Sequence, residues 1–209
     1  MNLYAYTLSL SVVSYQTAIM DGNLELAAEI LPSLPKDQLN RVARFLEGRD
    51  LKELALEVTT DPDHKFDLSL QLDDLDKALD IVREVPELEA EMKWKSLGDR
   101  ALATWRFDLA RESFEKAGDL NALMLLLLSI GDRQALTELA PKAVDKGQNN
   151  LAFATFFQLG DVESCVDLLI KTQRAPEAAM FARTYAPRRV SHRIIFVGAN
   201  CLIAKFQSR

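Results

Sequence analysis

Two histidines, two cysteines and a dense run of aspartates are the residues of this 209-residue chain with the most chemistry to offer. A zinc or acid–base site built on His64 or His192 would need a partner at a helical spacing such as i, i+4, and neither has one. Asp73, Asp74, Asp76 and Asp80 have the density of a calcium loop. Counted from Asp74, however, the sixth position is Leu79, where the sharp turn needs glycine, and the twelfth is Val85, where a bidentate glutamate is needed. These carboxylates fit better on a solvated turn and the first turn of a helix, where they offset the helix dipole. Glu84, Glu87, Glu89 and Glu91 read as an exposed face. Cys165 and Cys201 give no disulfide framework, and Cys165 falls at a small-residue position, which predicts a buried thiol in a reducing compartment rather than a nucleophile. Neither a glycine-rich phosphate loop, nor a serine nucleophile elbow, nor a Cys/His pair is present. The sequence assigns no catalytic residue, no metal ligand and no cofactor-binding residue, and the expectation is a protein that is not an enzyme.

The elements that hold these residues repeat. Seven times a turn is followed by an apolar residue, two spacers and a small or apolar residue: Gly22–Ala27, Arg49–Leu54, Asp73–Ala78, Trp105–Ala110, Gly131–Leu136, Gly160–Cys165 and Gln173–Ala178. The copies are spaced by 24 to 32 residues, with a last half-step of 13. A unit of that size, in which one turn opens one helix, is the signature of stacked helical hairpins. One copy shows the reason in full. Trp94-x-x-Leu97-Gly98-x-x-Ala101, with Ala110-x-x-x-Phe114 and Ala117 after it, overlays the tetratricopeptide pattern, with Ala101 in place of its aromatic residue. Gly98 and Ala110 suit a close helix crossing, and Trp94, Leu97 and Phe114 suit the space around it.

The predicted helices are 4–20, 24–31, one capped by Asp37 that carries Leu39, Val42, Ala43 and Leu46 and ends near Gly48, and 51–58. Then come one opened by Asp61-Pro62 and running through Phe66 and Leu70, and helices at 75–85, 89–103, 107–117, 120–129, 134–146, 150–158, 162–172 and 176–185. Connections of two to six residues require antiparallel neighbours. No strand alternation is present, so the expected class is all-α, an α-solenoid of tetratricopeptide-like hairpins. The apolar fraction of 48% is that of an ordinary globular chain, and no Pro-, Gly- or Ser-rich linker divides it. A net charge of −6, with no basic cluster before residue 188, argues against a nucleic-acid groove or an anionic membrane surface. The apolar opening has no basic residue before Lys36 and continues its face through Tyr15, Ala18 and Ile19, as a helix does and a signal peptide does not.

Several strings carry a resemblance that spacing does not supply. Tyr15–Met20, Arg41–Glu47, Thr60–Leu68, Lys93–Gly98, Asn149–Phe153 and Pro176–Tyr185 stand in the same order as in the beta-prime coatomer family, in the helical segment after its two WD-repeat propellers. The chain resembles that family from about residue 6 to residue 191. The resemblance implies a structural subunit, or fragment, of the COPI vesicle coat in Golgi-to-ER and intra-Golgi transport. Such a chain is cytoplasmic and peripheral on Golgi and vesicle membranes. It has the alpha coatomer subunit and other coatomer subunits as partners, with no nucleic acid and no small-molecule substrate. The propellers that bind dilysine cargo tails in that family have no counterpart here, so no cargo-binding residue carries over.

Residues 1–191 are thus expected to form the coatomer-type solenoid. Residues 192–209 no longer resemble the family's continuing helix and acidic end, as a truncated or mis-spliced gene would give, and are expected to be poorly ordered. Their apolar stretch 194–206 is too short to span a bilayer. A tetratricopeptide-type adaptor that captures short peptides is the alternative function. A carboxylate-capturing groove would need a ladder of Lys, Arg and Asn on the inner helices, and the sequence offers none.

Overall fold

Most helices among the described residues begin in the same way, and that shared start explains the architecture. The computed structural model describes residues 9–186, and for Glu87 and Leu88 the backbone alone. The divergent tail, His192, Cys201 and the beginning of the predicted first helix lie outside the described residues.

The helices are α1 (Leu10–Met20), α2 (Leu24–Ile30), α3 (Leu39–Glu47), α4 (Lys52–Val58), α5 (Pro62–Gln71), α6 (Leu75–Glu84) and α7 (Glu87–Ala103). They continue as α8 (Phe107–Ala117), α9 (Leu120–Ile130), α10 (Arg133–Asp145), α11 (Asn149–Leu159), α12 (Val162–Lys171) and α13 (Ala175–Tyr185). Short 3-10 turns at Leu31–Ser33 and Lys36–Gln38 join α2 to α3. No strand is found among the described residues.

Among the described residues nine of the connections are one device. A single residue turns left-handed, at Gly22, Asp50, Asp73, Trp105, Gly118, Gly131, Gly147, Gly160 and Gln173, with φ between 59° and 79°. The next residue sends its N–H back to a carbonyl five positions earlier: Asn23 to Ala18, Asp74 to Ser69, Asp132 to Leu127, Arg174 to Leu169, each at 2.9–3.0 Å. This is the Schellman closure, which satisfies the last carbonyls of one helix. The same residue then starts the next helix. Asn23, Asp74, Asp119, Asp132 and Asp161 each accept the N–H three residues on, capping α2, α6, α9, α10 and α12. Five residues past each left-handed turn comes a buried residue. It is Ala27, Ala55, Ala78, Ala110, Leu123, Leu136, Ala152, Cys165 or Ala178, each 5% exposed or less. A small side chain there lets adjacent helices approach closely.

The seven copies seen in the sequence are this device, with two corrections. In the second copy the left-handed residue is Asp50, not Arg49, so the copy slips by one and ends on fully buried Ala55. Two further copies, at Gly118 and Gly147, make the true step 13 to 16 residues from Trp105 onward. The half-step is therefore the regular spacing there, because every connection uses the device. Before Trp105 alternate connections use proline instead, at Pro32 and Pro35, Pro62 and Pro86. Two capping expectations also change. Asp37 sits inside the 3-10 turn and Gln38 is the residue before α3, with no side-chain cap. Gly48 follows α3 with a right-handed φ of −63°, so it is Asp50 that turns the chain. Asp61 caps α5 by accepting from the Asp63 N–H, with Pro62 as first helical residue, as expected.

The chain divides between Ser113 and Phe114 into two compact units. In the first, α1 pairs with α2, α3 with α4 and α5 with α6, and α4–α5 and α6–α7 link the hairpins. Val12, Tyr15, Ala18, Ile19, Ala27, Val42, Ala43, Leu46, Ala55 and Leu68 share one core there. In the second, each helix from α9 to α13 packs on the next, and α9 also touches α11. The tetratricopeptide-like motif is buried as its pattern requires: Leu97, Ala101, Ala110 and Phe114 are fully enclosed and Trp94 nearly so.

Candidate functional site

The aspartates with chemistry to offer are engaged at turns and helix starts. Asp73, Asp74 and Asp76 form no metal loop. Asp73 is the left-handed residue of the α5–α6 turn and accepts from Arg100 Nε at 2.6 Å. Asp74 caps α6 and pairs with Lys77 at 2.7 Å, and the Lys77 ammonium holds its carboxyl below the ordinary range. Asp76 pairs with Arg106 at 2.8 Å. These bonds tie α6 to the last turn of α7 and to the turn that follows it. They are exposed pairs, screened by water, and add little to stability. Among the described residues no group of three or more His, Cys, Asp and Glu could hold a metal ion.

Asp80 lines a shallow cleft of about 630 Å³ with Glu53, Glu57, Lys65, Asp74 and Lys77 over an apolar floor of Leu56, Leu72 and Ile81. Cys165 is fully buried against α11, its Sγ 3.7 Å from the Phe153 carbonyl. Burial, and secondarily Asp161, push its thiol up to about 11, so it stays protonated and inert at neutral pH.

His64 is a structural residue that the sequence left without a partner. Its Nε2–H donates to Glu47 Oε2 at 3.0 Å, and its Nδ1 lies 3.2 Å from Thr59 Oγ1. Gln71 donates to the other oxygen of Glu47 at 3.1 Å. Asn40 Oδ1 accepts from the Thr60 N–H at 2.9 Å and the Thr60 hydroxyl at 2.8 Å. The network pins α3 to the α4–α5 connection and to α5. The partners of Glu47 and Asn40 lie 17 to 24 residues away in the chain, too far for any spacing rule to have found them.

The hydrogen bonds from His64 first, then Gln71, hold the Glu47 carboxyl below its usual 4.5. A carboxyl whose folded value is depressed adds stability above its unfolded value, and that stability is lost as pH falls through the folded value. The urea midpoint is therefore expected to drop between about pH 5 and about pH 3, and Glu47→Gln to remove part of the drop. Equal pH dependence in both proteins would show that these partners add nothing.

Apolar side chains are exposed as well. Phe153 and Phe157 of α11 and Phe181 and Tyr185 of α13 form one ring array, with centroids 4.8 to 6.5 Å apart. Phe157, Tyr185 and neighbouring Met180 are substantially open to solvent. Trp105, at the α7–α8 turn, is 77% exposed and meets Phe107 edge to face at 5.9 Å.

Helical hairpins in sequence order, with no strand among the described residues, define the class of the fold: an α-solenoid of tetratricopeptide type. A family profile described as "COPA/B TPR domain" matches residues 15–196, and the chain belongs to that family. Among curated proteins it is 47% identical over 190 residues to "Coatomer subunit beta'-2" of Arabidopsis thaliana, covering 91% of this chain and 20% of that protein. It is 47% identical over 190 residues to "Coatomer subunit beta'-1" of Oryza sativa subsp. japonica, at 91% and 21% coverage. Against "Coatomer subunit beta'" of Homo sapiens the identity is 44% over 191 residues, at 91% and 21% coverage. The chain spans about a fifth of the length of these relatives. The resemblance in the sequence strings is thus a family relationship over most of the chain.

Proposed function

We propose that the chain is a structural component of the COPI vesicle coat, a protein–protein scaffold rather than an enzyme, and that its partner is the helical region of the alpha coatomer subunit. The observation that carries this reading is the 44–47% identity to beta-prime coatomer subunits over 91% of the chain. The apolar side chains left on the surface of α11 and α13, Phe157, Met180 and Tyr185, support it, since they offer another solenoid a face to pack on. In this reading residues 1–191 act as the coatomer-type solenoid, and residues 192–209 stand apart from it. The chain works in Golgi-to-ER and intra-Golgi transport and reaches the Golgi membrane peripherally, through other coat subunits. No helix among the described residues is long and apolar enough to cross a membrane.

Co-expression with the helical region of the alpha coatomer subunit is the test. A single complex in size-exclusion chromatography at micromolar concentration is expected, with no specific binding of a dilysine-ended peptide to this chain alone. Elution as separate monomers would remove the scaffold reading.

A further inference from the structure

We propose that the cleft lined by α4, α5 and α6 is a docking groove for an amphipathic helix of a partner protein, one with leucine-like side chains on one face and lysine or arginine beside them. α4 and α6 both pack on α5. Lys65, Ser69 and Leu72, spaced as one face of a helix, carry α5 across the cleft between them. The volume is about 630 Å³, and every lining residue lies in the first unit.

The floor sets the apolar half of the ligand. Leu56 of α4, Leu72 at the end of α5 and Ile81 of α6 border the cleft, and each is only partly buried. A single exposed aliphatic side chain is ordinary on a protein surface, but three from three successive helices around one depression form a patch. Such patches mark contact sites.

The rim sets the charge of what lies beside it. Asp74 and Lys77 pair with each other, which leaves the exposed carboxylates of Glu53, Glu57 and Asp80 facing Lys65 alone. None of the three has an ion-pair partner among the described residues. Glu53 and Glu57 also stand one turn apart on α4, where like charges repel, and an incoming cation relieves that repulsion. The groove therefore selects a basic partner and disfavours nucleic acid or anionic lipid.

The polar groups of the cleft favour a helix over an extended segment. Its one uncharged polar side chain is Ser69, whose hydroxyl already donates to the Lys65 carbonyl at 2.8 Å. An extended peptide would leave main-chain N–H and C=O groups unmet over the apolar floor, whereas a helix satisfies its own. Apolar residues at i, i+3, i+4 and i+7 then make the stripe that the floor receives. The proposal does not rest on the coat reading: the cleft is in the first unit and the ring-bearing face of α11 and α13 is in the second, so either can fail without the other.

Fluorescence anisotropy on the 209-residue chain tests it, with a labelled, amide-ended peptide of about 18 residues that has leucine at every third or fourth position and lysine or alanine elsewhere. A scrambled peptide of the same composition, with no apolar stripe, should bind about tenfold more weakly. Glu53→Gln/Glu57→Gln keeps good helix formers and removes the repulsion on α4, so the fold should hold while affinity for the striped peptide falls about fivefold. Glu25→Gln/Glu29→Gln makes the same change of charge at the same spacing on the exposed face of α2 and should bind like the parent. Ile81→Ala, which shortens the floor with a good helix former, should weaken binding about fivefold as well. Equal binding of the two peptides, or equal loss in the two double variants, would show attraction by net charge alone and overturn the proposal. Self-association of the parent that Glu53→Gln/Glu57→Gln abolishes in sedimentation velocity would give the groove to a second copy of the chain, and would overturn it too.

Discussion

Ala110→Asp is expected to lower the melting temperature by about 10 °C or more, and to leave a substantial fraction unfolded if the parent is of ordinary stability. Ala110 is fully enclosed, five residues past the left-handed Trp105. A carboxylate there loses its water, so the group is driven to its neutral form. Raising a carboxyl from about 4 to above about 7 costs roughly 4 kcal/mol at neutral pH, since each unit is about 1.4 kcal/mol. In a chain of this length that converts to about 2–4 °C per kcal/mol. The sign of the pH dependence checks the mechanism. A folded value raised above the unfolded one costs stability above the unfolded value, so the defect should shrink as pH falls toward about 4. Ala110→Gly, with no charge, should cost only about 1 kcal/mol. An unchanged melting temperature for the aspartate variant would put Ala110 on the surface and break the packing argument for the whole repeat.

That position was legible in the sequence for a physical reason, and other positions were not for equally physical ones. A buried small residue at a fixed distance from a turn is a packing constraint, and it shows as Ala at 27, 78, 110 and 178 and Cys at 165. The left-handed residue that precedes it is plain when it is Gly131 or Gly160. It is not plain when it is Asp50, Asp73, Trp105 or Gln173, because the closing hydrogen bond from the following N–H fixes the turn whichever residue occupies it. Hence the second copy slipped by one. The copies at Gly118 and Gly147 do carry glycine. They escape a reading that looks for a step near 30 residues, because from Trp105 onward every connection, not every second one, uses the same turn.

The polar groups divide along similar lines. Asp61 and Asp74 announce their caps because they act within three residues of themselves. The bonds of His64 and Gln71 to Glu47 draw on residues far apart in sequence, and a glutamine carries no signal of reactivity. The aspartate run showed its solvated, turn-forming character but not its partners, since Arg100 and Arg106 reach Asp73 and Asp76 across 27 and 30 residues.

Phe114→Ala should cost about 3–5 kcal/mol, the usual range for emptying a fully packed phenylalanine site. Phe114 is the largest of the completely buried side chains. Its carbonyl closes the Gly118 turn by accepting the Asp119 N–H at 3.1 Å, and Asp119 then caps α9. That backbone link survives truncation of the side chain, so the loss reports packing and not the turn. Phe114→Leu keeps most of the volume and should cost less than about 1.5 kcal/mol. Urea unfolding of the two variants separates the contributions. A large loss in both would mean that the ring's shape, not its volume, is what the site requires. A loss below about 1 kcal/mol in the alanine variant would mean that the site collapses on truncation, which close packing of this kind does not allow. The reading of Phe114 as an enclosed position of the tetratricopeptide-like pattern would then fail.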